Sequence, residues 1–194
     1  ALKFEALVGS TEMAVSFWNK HEYLPVYGYD VSSRMFNVDI NAEASVSQRF
    51  GRAELVESGG VLYEDRLKDE WKLRVSVNLA KDFKVNDQPQ KLNLSTEFFY
   101  NGAGYKDNIF RDDHIYAYRD PLDIGGTLFP AGDKQTLLLK NGLYEPNYYG
   151  RYYLAFFSSI RKFITSSFTL SNNWVGNLSD GSSIFSTSLG YANI

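Results

Sequence analysis

A chain of 194 residues with 44% hydrophobic content is long enough for one folded domain and too apolar to stay disordered. Its net charge of −3 argues against nucleic-acid binding, and the lack of cysteine removes disulfides, thiolate metal sites and cysteine nucleophiles. No run reaches the roughly 18 apolar residues of a membrane helix; the longest candidate, Tyr152 to Ile160, is about half that length and holds two serines.

Alternation with period two, the signature of strands, recurs almost throughout. Leu2, Phe4, Ala6 and Val8 predict a first strand at about 1–9. Met13, Val15 and Phe17 predict a second at 12–19. Tyr27, Tyr29 and Val31 predict a third at 25–32, turning at Ser32-Ser33-Arg34. The clearest pattern follows at 36–48, where Phe36, Val38, Ile40, Ala42, Ala44 and Val46 share one face. Asn37, Asp39, Asn41, Glu43, Ser45 and Ser47 share the other.

The strand predicted at 71–82 sets Trp71, Leu73, Val75, Val77 and Leu79 against Lys72, Arg74, Ser76 and Asn78. At 92–104, Leu92, Leu94, Thr96, Phe98 and Tyr100 oppose Asn93, Ser95, Glu97 and Asn101. At 151–162, Tyr152, Leu154, Phe156 and Ile160 oppose Arg151, Tyr153, Ala155, Ser159 and Arg161. At 164–175, Ile164, Ser166, Phe168, Leu170 and Trp174 oppose Thr165, Ser167, Thr169, Ser171 and Asn173. A ninth strand at 183–194 follows the turn formers Asn177-Leu178-Ser179-Asp180-Gly181.

Connections are short to moderate near 10, 33, 83–91 and 163. They are long at 49–70 and 103–150, and the short ones near 20–24 and 177–181 lie on the long-loop side. Within the longest, Asp133 to Gly142 reads as a short helix with an Asp cap and a Gly stop, and Leu137 to Leu139 as its anchor on the wall.

A soluble β-sandwich also alternates apolar and polar residues. Three features favour an antiparallel transmembrane β-barrel instead. Several strands have roughly the length that crosses a bilayer at a tilt. The non-apolar face carries Asn, Ser, Thr and charges of both signs, as a wet lumen would. Aromatics fall at strand ends, where interfacial girdles belong: Trp18, Trp71, Tyr100, Tyr105, Tyr148, Tyr149, Tyr152 and Trp174. The whole chain then reads as one all-β barrel domain in a bacterial outer membrane. An odd count of nine, with the first and last strands running the same way, leads to the expectation of earlier strands before Ala1 and a larger, even-stranded barrel.

On that reading Phe36, Val38, Ile40, Leu73, Val75, Val77, Leu154, Phe156, Phe168 and Leu170 face lipid. Asp39, Glu43, Lys72, Arg74, Glu97, Arg151 and Arg161 line the pore, where charges set selectivity. The same charges are also expected to pair across strands, with Glu43 and Arg74 as one such pair. Arg111-Asp112-Asp113-His114 groups metal-binding residue types, but adjacent side chains rarely ligate one ion and no second cluster joins them, so no metal is expected. No G-x-S-x-G elbow is present, and no Lys-Ser/Thr follows Gly102-Ala103-Gly104. Neither an enzyme nor a cofactor is expected.

Pro25-Val26-Tyr27-Gly28-Tyr29-Asp30, followed by Asn37-Val38-Asp39-Ile40-Asn41-Ala42-Glu43-Ala44, resembles Gram-negative outer-membrane porins. Gly150 to Tyr191, with its hairpin Asn177-Leu178-Ser179-Asp180-Gly181-Ser182, resembles the late strands of the same group, which includes alginate-export-type barrels. Together these cover about a third of the chain. The resemblance implies a diffusion channel for small hydrophilic solutes in contact with outer-membrane lipid. Such barrels end on an aromatic residue, whereas this chain ends Tyr191-Ala192-Asn193-Ile194, so Ile194 is not expected to be the true C-terminus. The alternatives are a scaffold barrel that holds a partner protein or plug in its lumen or contacts one at its rim, and a soluble carbohydrate-binding sandwich; a homo-oligomer is among the expected partners.

Overall fold

The computed structural model describes residues 1–19, 25–48, 54–65, 70–106, 108, 111, 114–119, 128–140 and 149–192. Alternation over these residues produces thirteen strands and one helix: β1 (2–8), β2 (11–18), β3 (26–35), β4 (38–47), β5 (54–58), β6 (61–65), β7 (72–85), β8 (88–101), β9 (116–119), β10 (128–132), α1 (134–140), β11 (152–161), β12 (168–177) and β13 (182–191). The protein is all-β and mostly antiparallel.

Nine strands form one open sheet in the order β1-β2-β3-β4-β7-β8-β11-β12-β13. Each pairs antiparallel with its neighbours, and β1 and β13 are the two edges. The order among these strands simply follows the chain, because every hairpin brings the next strand beside the last. No described helix is long and apolar enough to cross a membrane, which says nothing of strands.

One end of this sheet is closed by tight hairpins. Gly9-Ser10 joins β1 to β2, with φ +63° at Gly9. Phe36-Asn37 and Asn86-Asp87 have positive φ at both residues. That backbone matches the right-handed twist of the flanking strands, and Asn and Asp tolerate it best among residues with a Cβ. Two expectations are corrected here. Ser32, Ser33 and Arg34 are strand residues, and the chain turns at Phe36-Asn37 instead. Phe36 therefore sits on a turn tip, 86% exposed, and not on the lipid-side face of a strand.

The Asn86-Asp87 turn also shortens the connection expected at 83–91, so β7 and β8 reach 14 residues each. Between β11 and β12 the chain has no such turn chemistry. It spends residues 162–167 on the connection, with Lys162 at φ +54°. Ile164 and Ser166, expected in a strand, lie in that connection, and β12 starts at Phe168.

The other end of the sheet carries the long connections, and the described parts of these are structured. β5 and β6 form a hairpin through Gly59-Gly60. β9, from the second long connection, pairs parallel with β6, and β10 pairs with β9. The result is a second, four-stranded sheet in the order β10-β9-β6-β5. The stretches 49–70 and 103–150 were expected as loops because strands this short lack a long alternating pattern.

Leu62 and Tyr116 from this sheet, and Leu137 and Leu138 from α1, are buried. Leu139, expected to help anchor the helix, is exposed. Asp133 caps α1 by accepting the Thr136 backbone N–H at 2.6 Å, and the stop expected at Gly142 lies outside the described residues. That hydrogen bond, made only to the carboxylate, holds Asp133 below the usual aspartate range. A lowered pKa means that the cap is complete above the ordinary carboxylate range and fails as pH falls through the lowered value. The protection factors of the Leu137 and Leu138 amides should therefore fall only at acidic pH, whereas Asp133→Ala should show the lowered protection at neutral pH as well.

Candidate functional site

The register of the nine-stranded sheet aligns the two alternating sets into two continuous faces. One is apolar across every strand: Phe4, Val15, Tyr29, Ala44, Val75, Tyr100 and Tyr152 fall in one row, each opposite the next. A parallel row runs Ile40, Leu79, Thr96, Phe156, Trp174 and Phe185. Among the described side chains this face carries a single charge, Lys81, whose ammonium lies 5.4 Å from the centre of the Phe83 ring.

Among the described residues, none covers this face. Phe4 is 72% exposed, Phe156 50% and Phe185 68%. The chain exposes 12668 Å², about a third more than the roughly 9,300 Å² of a compact 22.1 kDa monomer. The residues expected on the lipid side, Val38, Ile40, Leu73, Val75, Val77, Leu154, Phe156, Phe168 and Leu170, all share it. A hollow of about 440 Å³ lies on it, lined by Leu79, Phe83, Leu94, Phe156, Trp174 and Phe185 among others.

Aromatic contacts gather toward the two ends of the face. Phe17, Tyr27 and Trp71 form a chain at the long-connection end, with centroids 5.4 and 6.0 Å apart, and Tyr100 meets Tyr152 at 5.6 Å. Phe168 and Tyr191 meet at 5.2 Å at the opposite end. Trp174, expected at a strand end, stands inside β12 against Phe156 at 5.6 Å. Tyr148 lies outside the described residues.

The opposite face is polar, and its charge is divided. On β1–β4 it carries Glu5, Glu12, Asp30, Asp39 and Glu43 against Lys3 and Arg34. On β7, β8 and β11 it carries Lys72, Arg74, Lys84, Lys91 and Arg161 against Asp82 and Glu97. On β12 and β13 it has no charge, only Ser, Thr, Asn, Gly and two aliphatics.

The expected pore residues occupy different places on this face. Asp39 is paired with Arg34 directly across the β3–β4 hairpin at 3.2 Å. Lys72 is paired with Glu70 at 2.5 Å, which lowers the Glu70 pKa through that hydrogen bond and the ammonium charge. Glu97 accepts from the Ser76 hydroxyl at 3.0 Å. Arg161 is exposed at the hairpin end of β11.

Glu43 lies opposite Ser76, and Arg74 opposite Ser45, so the two are diagonal neighbours. They line the same trough, of about 460 Å³, together with Lys3, Ser16, Gly28, Asp30, Ser45, Ser76 and Phe99. Its floor is low because one row across β1–β7 reads Lys3, Ser16, Gly28, Ser45, Arg74. A Cβ at Gly28 would collide with the Ser16 hydroxyl. Lys3 reaches Glu5 at 2.7 Å and Asp30 at 3.9 Å.

Arg151, expected in the pore, belongs to a knot at the rim. Its Nε donates to the Gly104 carbonyl at 3.0 Å, and its backbone N–H donates to the Ser179 hydroxyl at 2.8 Å. Around it, buried Asn101 accepts from Arg74 Nε at 3.4 Å and from the Ala103 N–H at 3.2 Å, and donates to the Gly150 carbonyl at 3.4 Å. The Tyr149 hydroxyl donates to the Asp180 carboxylate, and the Tyr153 hydroxyl accepts the Gly150 N–H at 2.7 Å. Gly102-Ala103-Gly104, unremarkable as a motif, is where the backbones close up. The knot ties the ends of β8, β11 and β12 together.

Among the described residues no group of His, Asp and Glu is placed to hold a metal ion. Asp112 and Asp113 lie outside those residues, and His114 packs its ring on Tyr116 at 4.9 Å. The sequence matches no protein-family model, no curated protein and no solved structure.

Proposed function

We propose that these nine strands are wall of a bacterial outer-membrane β-barrel, and that their polar face lines a porin-like channel for small hydrophilic solutes. The observation that carries this reading is the uncovered apolar face, nine strands wide, with one charge on it and the charged residues on its reverse. Water strongly disfavours so much exposed apolar surface. A sandwich or a lipocalin-like barrel would bury it; here Phe4, Phe156 and Phe185 point into the surroundings. Hydrocarbon is the solvent in which such a face is at rest, and acyl chains fill its hollow.

Strand length agrees with that solvent. β3, β4, β11, β12 and β13 have ten residues each, within the roughly 9–11 that a tilted strand needs to cross. The one-sided loops agree as well, with connections of two to six residues at one end and both of the long connections at the other. Backbone groups at a lipid-exposed edge cost several kcal/mol each, so the proposal includes further strands beside β1 and β13 that complete the circle.

Refolded into detergent, the full-length protein with those further strands should run at different gel mobilities before and after boiling, and in a planar bilayer it should pass ionic current. A monodisperse, water-soluble monomer with no heat-dependent mobility would overturn the membrane reading. A heat-shifted barrel without current would replace the channel by a scaffold.

A further inference from the structure

The trough on the polar face straddles the line where the wall changes sign. Asp30 and Glu43, opposite each other on β3 and β4, contribute the carboxylate side, with the Lys3 ammonium of β1 3.9 Å from Asp30, and Arg74 contributes the guanidinium side from β7. Between them the floor offers the hydroxyls of Ser16, Ser45 and Ser76. From this we infer that the trough is a binding site for small dipolar solutes that carry an ammonium at one end and a carboxylate at the other, such as free amino acids and short peptides. The inference rests on the polar face being a solute-filled lumen, and names the solute class.

The chemistry selects that class over others. Lys3 already balances part of the carboxylate side, but Glu5, Asp30 and Glu43 outnumber it, so an incoming ammonium beside Glu43 gains charge-assisted hydrogen bonds, and a guanidinium presents a fork that matches a carboxylate. A simple anion would meet Asp30 and Glu43, and a simple cation would meet Arg74, so each is repelled at one end. A neutral sugar would satisfy the serines and leave both sets of charges unused. Arg74 is also fixed in place: its Nε bond to buried Asn101 anchors the guanidinium on the wall and so lowers the cost of ordering it on binding. A volume of about 460 Å³ accommodates a peptide of two or three small residues and excludes a folded chain.

The test uses the full chain folded in detergent and glycylglycine as the probe, with binding followed by calorimetry. Glycylglycine is expected to bind at least tenfold more tightly than either N-acetyl-glycylglycine, which lacks the ammonium, or glycylglycine amide, which lacks the carboxylate. Glu43→Gln should weaken glycylglycine about as much as acetylation does and leave the acetylated peptide unaffected. Ser45→Leu, which fills the floor without touching a charge, should weaken all three.

Equal binding of the capped and uncapped peptides, or unchanged binding in both variants, would overturn the inference. Mobility before and after boiling shows that each variant is folded. Binding in detergent reads the trough whether or not the barrel conducts, and bilayer current reads the channel whether or not the peptide binds. The two proposals therefore fail separately.

Discussion

Val77→Arg should lower the unfolding free energy of the lipid-folded protein by about 2–4 kcal/mol, whereas Asn78→Arg beside it should change it little. Val77 stands in the middle of β7, opposite Ala42 on β4 and Phe98 on β8, in the row that continues to Val31 and Leu154. With that face in lipid, as proposed, a guanidinium there would have to enter hydrocarbon or bend toward the headgroups. Asn78 points the other way, opposite Asn41 and Glu97 and hydrogen-bonded to Ser95 at 2.9 Å. An arginine at that position meets water and a carboxylate. Urea titration in vesicles gives both numbers, and near-equal costs would mean that the two faces do not see different solvents.

Gly104→Ala and Gly150→Ala should each cost about 1–3 kcal/mol, the usual penalty for forcing a methyl into filled space. A Cβ on Gly104 would run into the backbone of Gly150, and one on Gly150 into the side chain of Asn177. Neither obstacle swings aside, because both belong to the rim knot: Asn177 Oδ1 accepts the Ser179 N–H at 3.0 Å. Gly190→Ala is the control, since its nearest neighbour beyond the adjacent residues is the Thr169 carbonyl at 3.7 Å, an ordinary contact. Unfolding midpoints for the three variants should separate the rim glycines from Gly190. Three equal midpoints would show that the rim contributes no more than the edge.

What could be read without coordinates was set by periodicity. Strands such as β4 and β7 announce themselves because one face is apolar for ten residues or more, and a two-residue repeat leaves a long trace. The short strands β5, β6, β9 and β10 leave none, and the β6–β9 pairing joins residues as far apart in the chain as Val61 and Ala117. The turn at Phe36-Asn37 was hidden by Phe36 itself, an aromatic residue that continued the apolar series beyond the point where the strand stops.

The site was legible to a similar depth. Glu43 and Arg74 sit on the polar face by parity alone. That Lys3, Ser16, Gly28, Ser45 and Arg74 share one row depends on the four successive connections between their strands, which fix the register. Arg151 looked like a pore charge by the same parity, and only the folded rim shows its hydrogen bonds to Gly104 and Ser179.

The parallel pairing of β6 with β9 makes one surface out of two excursions of the chain. A binder raised against that surface would recognise amino acids from both excursions at once, so its epitope would vanish on a denaturing blot. Exchange of one excursion for that of another protein would leave the remaining half without its hydrogen-bonding mate. Variation in this region is thus expected to come in matched changes on both segments.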